Sequence, residues 1–171
     1  MTISPLAPAA FPYLPMINGV TFAAAAAGVK KAHRLDVMLA IMIDGTSVAG
    51  VFTTSATRSA NVLDCQRKLA SPSHGPAAII VNSGNSNAFT GKCGEASVTA
   101  LCKGVSDITD IPEGRVFTAA TGIIGEPLPH DKIIAKLKDL HKTQSIDQLP
   151  DAAQAIMTTD TFAKGSAKTV M

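Results

Sequence analysis

The 171-residue sequence has no tryptophan and a single tyrosine, and aromatic residues make up 4% of it. Charged residues are scarce too, at 16% against the roughly 25% usual in soluble domains. With a formal net charge of +2 the chain lacks the dense basic face that tracks phosphates, so no nucleic-acid partner is expected. Its apolar runs fall short of the roughly 18 residues of a membrane span, so no membrane is expected either. Residues 2–16 carry no basic side chain, and Pro5, Pro8, Pro12 and Pro15 interrupt any apolar helix there, unlike a secretory leader. The three cysteines, Cys65, Cys93 and Cys102, have no C-x-x-C spacing, and His33, His74, His130 and His141 are scattered. No metal motif assembles from them, and reduced thiols in a cytoplasmic protein are the expectation.

Hydrophobic residues, by contrast, reach 46%, which excludes disorder over most of the chain. This length suits one domain over residues 1–171, or one piece of a larger domain, and a chain of this size buries roughly 70% of its unfolded surface. So much apolar surface with so few charges also suggests that another chain covers part of it. The 13 glycines and 10 prolines imply tight turns between short strands.

Residues 20–22 read as a short strand, and 23–28 as a small-residue stretch. Residues 37–43 are apolar on both faces, which predicts a strand covered on both sides. Asp44-Gly45 follows, a strong hairpin signal, so 47–53 is expected to return antiparallel to 37–43. A weak helix is predicted over 61–70, ended by a Ser-Pro-Gly loop at 71–76, and a buried strand over 77–82. Residues 94–105 are predicted helical and 115–119 a strand. The helix over 131–141 has the clearest stripe, with Ile133, Ile134, Leu137 and Leu140 inward. Pro150 opens a last short helix through Met157. Strands alternating with helices predict a layered α/β or α+β sandwich, with helices flanking a mixed sheet.

Three loops carry candidate chemistry. N-S-G-N-S-N-A-F-T-G at 82–91 follows a buried strand; its amides suit either a polar-ligand cradle or a turn that satisfies its own backbone. The segment 118–129 delivers Thr121 and Gly122 at a strand end. Fixed N–H and hydroxyl donors there suit an oxyanion hole, and a plain glycine turn is the bland alternative. A-I-M-T-T-D-T at 155–161 places hydroxyls beside an acid, a pattern that most often makes local caps. No Ser-His-Asp or Cys-His set assembles by spacing, and there is no Walker loop or G-x-G-x-x-G.

Taken in order, G-V-F-T-T at 50–54, the 82–91 loop, A-T-G-I-I-G-E-P-L-P at 120–129 and the 155–161 segment resemble the ornithine acetyltransferase family, the glutamate N-acetyltransferases of the cyclic arginine pathway. The stretches A-G-V-K-K at 27–31 and R-L-D at 34–36 fit the family's start. The resemblance implies an N-terminal-nucleophile-like, self-processing acyltransferase fold, in which a precursor cuts itself into α and β chains. The new N-terminal threonine of β takes acetyl from N2-acetylornithine and passes it to glutamate, and some members also use acetyl-CoA. Such a threonine can hand its hydroxyl proton to its own α-amine. No resident cofactor is implied.

On this resemblance Thr121 and Gly122 form the oxyanion hole, and Thr158 or Thr159 contacts substrate. The family's K-G-S-G lysine and nucleophilic threonine lie downstream of T-T-D-T. Lys164-Gly165-Ser166-Ala167 sits too close to Thr161 and has alanine where glycine is expected, so it reads as ordinary trailing residues. The chain is therefore expected to be the α-chain portion of an αβ heterodimer that assembles to a heterotetramer. A non-catalytic remnant that keeps the fold is the alternative. The related self-processing aminopeptidases are a weaker one, against which the 82–91 loop and T-T-D-T argue.

Overall fold

The computed structural model describes residues 3–71 and 73–168; Thr2, at the head of the proline-rich segment, and Pro72, in the loop at 71–76, lie outside the described residues. Strands β1 (Val20–Ala25), β2 (Val37–Met42), β3 (Ala77–Asn85) and β4 (Val116–Ile123) build one sheet in that order. The pairs β1–β2 and β2–β3 are antiparallel and β3–β4 is parallel, so the sheet is mixed. Helices α1 (Ala60–Leu69), α2 (Gly91–Thr109), α3 (His130–Ile134), α4 (Leu137–Lys142) and α5 (Leu149–Ala155) flank it. This is the layered α+β arrangement that the alternation of strands and helices predicts. Among the described residues no helix is long and apolar enough to cross a membrane.

Alternation within the strands sets the core. Ala23, Leu39, Ile80 and Val116 point to one face, where Val98, Leu101, Val105, Ile133, Leu137 and Leu140 of α2, α3 and α4 close over them. The opposite face is thinner: Ala77, Ile79 and Phe117 meet Cys65 and Leu69 of α1 together with Val48 and Phe52. Helix α1 starts at an N-cap, Ser59, whose hydroxyl accepts from the Val62 N–H. It also protects the outer edge of β4. Cys65 Sγ donates to the Thr118 carbonyl and Lys68 Nζ to the Val116 carbonyl, so these strand groups are not left bare.

The hairpin expected from Asp44-Gly45 does not form, because both edges of β2 are taken. Val37 pairs with Ala25 on one side and with Asn82 on the other. Residues 47–53 have no ladder left to join and lie over the thin face instead, with Val48 and Phe52 as anchors. The expected helix over 131–141 is real but broken into α3 and α4 around Ala135 and Lys136. Its inner stripe is as predicted, with Ile133, Leu137 and Leu140 buried and Ile134 partly so. Leu137 Cδ1 comes so close to Gly104 of α2 that a Cβ there would stand 2.8 Å away.

Candidate functional site

The carboxyl ends of the two parallel strands lie side by side, the usual place for a ligand crevice in sheets with parallel strands. Register runs Ser83↔Thr121 and Gly84↔Gly122, then breaks in a bulge at Gly84/Asn85. A bulge twists the strand and re-aims its side chains, here at the last residues before the loop. Gly122 has φ 137°, a conformation open to glycine and strained for other residues.

A cavity of about 380 Å³ opens above these strand ends. Thr121, Gly122, Thr158 and Thr159, the four residues singled out in the sequence, all line it. The chain thus brings together two segments separated by more than thirty residues. Ser83 and Gly84 complete the strand side, with Lys30 packed against Gly84, and Lys31, Arg34 and Asp36 line the cavity as well. A second cavity of about 440 Å³ shares Lys31, Arg34 and Thr158 with the first and runs along Asp160, Thr161 and Phe162.

Asp36 holds the cationic wall in place. It is 4% exposed, and its two carboxyl oxygens accept the backbone N–H groups of Ala27 (2.7 Å) and Val29 (2.6 Å). Its own N–H and carbonyl join Ala25 and Ser83, tying the turn to β1 and β3. The Arg34 guanidinium donates to the Met157 carbonyl, which fixes the residue just before Thr158. Lys30, Lys31, Arg34 and Asp36 line the candidate site, and sequence reasoning, which met them only in the 27–31 and 34–36 motifs, gave them no role. The available signal was three cations and a carboxylate between two predicted strands, next to a glycine.

The 82–91 loop turns out to be scaffold rather than cradle. Asn82 Nδ2 donates to the Asn85 carbonyl, and Asn85 Nδ2 to the Glu126 and Pro127 carbonyls. Buried Asn87 donates to Asn61 Oδ1 and the Gly94 carbonyl and accepts from Thr90. Those amides are consumed by the fold, and their bonds brace the loop that follows Thr121-Gly122. Only Ser83 and Gly84 of the stretch face the cavity.

The segment after α5 is a local turn, as its residue types suggest. Asp160 accepts from the Thr158 N–H and pairs with Lys164, and this lysine, with the N–H bond, draws the carboxyl below its ordinary value. The Lys164 ammonium also stands 4.8 Å from the centre of the Phe162 ring. Lys164 is therefore turned back on its own loop and does not line the cavity at Thr121.

The fold does assemble a Ser-His-Asp set that spacing could not show. Ser97 Oγ lies 3.0 Å from His130 Nδ1, and His130 Nε2 is 3.7 Å from Asp131. It is not a nucleophile triad. Ser97 is 3% exposed and donates to the Cys93 carbonyl, leaving its hydroxyl to accept from the ring, which pins the start of α3 to α2.

A family model described as the ArgJ family matches residues 21–171. The arginine biosynthesis bifunctional protein ArgJ of Ruegeria pomeroyi is 64% identical over 168 residues, covering 98% of this chain and 41% of that protein. Its counterpart in Agrobacterium fabrum is 44% identical, with 99% and 40% covered. The chain thus spans about two fifths of the length of these relatives. Among solved structures, the ArgJ protein of Bacillus halodurans matches with a TM-score of 0.75 at 31% identity, over 84% of this chain and 74% of that one. The ornithine acetyltransferase of Mycobacterium tuberculosis, crystallised with ornithine, matches with a TM-score of 0.77 at 34% identity, over 84% and 77%. The chain belongs to the ArgJ family, the ornithine acetyltransferases that its four ordered motifs resemble.

Proposed function

We propose that this chain is the α-chain portion of a glutamate N-acetyltransferase that moves acetyl from N2-acetylornithine to glutamate in arginine biosynthesis, in the cytoplasm. The observation that carries the reading is the meeting of Thr121-Gly122 with Thr158-Thr159 across one cavity at the ends of the parallel strands. Two coverage figures support a divided precursor. The chain fills about three quarters of the matched crystal chains but two fifths of the curated relatives. Those crystal chains are therefore less than half as long as the curated proteins.

The roles follow from the chemistry. The N-terminal threonine of the β chain gives its hydroxyl proton to its own α-amine and attacks the acetyl carbonyl of acetylornithine. Negative charge gathers on the carbonyl oxygen, where the Gly122 N–H and a Thr121 donor meet it. Collapse expels ornithine, whose nitrogen takes up the proton, and leaves acetyl on the threonine. The amine of glutamate then attacks the acetyl-threonine ester, and the same donors serve the second oxyanion. Its collapse breaks the acetyl–Oγ bond, the threonine oxygen taking the amine's proton by way of the α-amine as N-acetylglutamate leaves. Thr158 or Thr159 holds the substrate from the opposite wall. The enzyme needs no resident cofactor, and acetyl-CoA is an optional donor in place of acetylornithine. The working unit is an αβ heterodimer, paired into a heterotetramer.

Co-expression of this chain with a β chain that begins at the nucleophilic threonine tests the reading. The expected product is a complex, seen by native mass spectrometry, that turns acetylornithine and glutamate into ornithine and N-acetylglutamate. A stable complex without transfer would leave the non-catalytic remnant as the better account.

A further inference from the structure

Lys30 sits directly over the end of β3. A Cβ built on Gly84 would stand 2.9 Å from Lys30 Cβ, so glycine is what admits the lysine stem at that point. Gly84 is the register partner of Gly122, which places Lys30 beside the Thr121-Gly122 pair in the same cavity wall. The turn that carries Lys30 is held from three sides. Asp36 clamps Ala27 and Val29, Lys132 Nζ donates to the Gly28 carbonyl at 3.0 Å, and Arg34 donates to the Met157 carbonyl.

The charge of this turn is not balanced from within. Among the described residues no carboxylate forms an ion pair with Lys30 or Lys31, and both oxygens of Asp36 are taken up by backbone N–H groups. A cationic wall around a cavity of this kind calls for an anionic ligand, and a charged partner on a fixed frame strengthens its hydrogen bonds. We infer that Lys30 is the residue that binds the carboxylate of the amino-acid substrate, with Arg34 a positioning residue that sets Thr158 through the Met157 carbonyl. This rests on the function proposed above and deepens it: the site selects α-amino acid carboxylates on the strand side, next to the oxyanion donors.

The test uses the assembled αβ protein and pairs of acid and amide ligands. Wild-type protein should prefer N2-acetylornithine to its α-carboxamide, and glutamate to its α-carboxamide, isoglutamine, in calorimetric titration. Lys30→Met should raise KM for acetylornithine about tenfold to a hundredfold, the scale of a lost charge-assisted hydrogen bond, and leave the carboxamide unchanged. Lys30→Arg should recover part of the preference. A merely structural lysine would weaken acid and amide alike, and Lys30→Met or Lys30→Gln with an intact acid preference overturns the assignment. Calorimetry separates the two levels. Acid-selective binding that needs Lys30, in a protein that moves no acetyl, would sink the proposed function and keep the carboxylate site.

Discussion

Gly122 faces Gly84 across the β3–β4 pair so closely that a Cβ on Gly122 would lie 2.3 Å from the Gly84 carbonyl carbon. The Asn85 nitrogen would be 2.5 Å from the same atom. Both contacts are with backbone, which cannot swing aside as a side chain does. The sequence reading assigned Gly122 to oxyanion donation. The structure adds that the residue is what allows the two strand ends to close on each other at all.

Gly122→Ala should therefore damage fold and site together. Relief requires the strands to part or φ to leave 137°, and forced strain of this kind costs about 1–3 kcal/mol or more. The control is Gly114→Ala, where a Cβ meets nothing within 4 Å and φ is ordinary. Urea unfolding of the assembled protein should show the first change clearly and the second within about 0.5 kcal/mol of wild type. Equal midpoints for the two variants would contradict the close approach.

For Thr121 the expectation is kinetic. If it donates to the developing oxyanion, Thr121→Ala in the assembled enzyme should lower kcat by about 10²-fold, the scale for losing one such donor. Affinity for acetylornithine should change far less, since the charge appears only in the transition state. An effect confined to KM would reduce the loop to a turn.

Local signals carried most of the fold. The apolar stripe of 131–141 and the compact strand at 77–82 were legible because their periodicity is set by short-range geometry. The failed hairpin shows the limit. Asp44-Gly45 does turn the chain, but which strand fills the edge of β2 is a competition settled by β1 and β3, and no local pattern records it. The site followed the same division. Thr121, Gly122, Thr158 and Thr159 came from motifs, whereas Lys30, Arg34 and Asp36 join them only through tertiary bonds such as Arg34 to Met157. At Asn87 sequence left two readings, a ligand cradle or a self-satisfying turn, and the fold takes the second kind: the amide is spent on Asn61, Gly94 and Thr90.

Alkaline pH should weaken the fold through the cluster under β4. Burial lifts the Cys65 and Cys102 thiols above their ordinary value of 9.0, against the opposing pull of Lys68. Burial draws the Lys68 ammonium down, but bonds to Asp64 and Cys102 outweigh it and raise the group above 10.5. All three hold protons in the folded chain at a pH where the unfolded chain has released them. Their contribution is complete below about pH 9 and is lost as pH rises through the folded values. Tm should stay level to about pH 8.5 and then fall. In a Cys65→Ala, Cys102→Ala variant the decline between pH 9 and 10 should be shallower, whatever its starting Tm. An unchanged slope would show that the thiols do not govern it.

This 171-residue chain by itself should transfer no acetyl. Among the described residues the carboxylates beside Thr121, Thr158 and Thr159 are committed, Asp36 to the N–H groups of Ala27 and Val29 and Asp160 to the Thr158 N–H and Lys164. Cys65 and Cys102 are buried with raised pKa values, and Ser97 is locked between Cys93 and His130. On the proposed function, donors at Thr121 and Gly122 without a nucleophile would stabilise a charge that never forms. The uncovered apolar surface points the same way. Val51 is 99% exposed and Ile43 64%, and a cleft of about 330 Å³ lined by Phe52, Ile79 and Phe117 opens on the thin face of the sheet. Patches of this kind drive association when no partner covers them. The isolated chain should therefore aggregate on concentration, measurable by light scattering, and co-expression with the β chain should restore solubility and turnover together. Acetyl transfer by the purified chain, with no partner detectable by mass spectrometry, would require a nucleophile within these residues and would undo the reading.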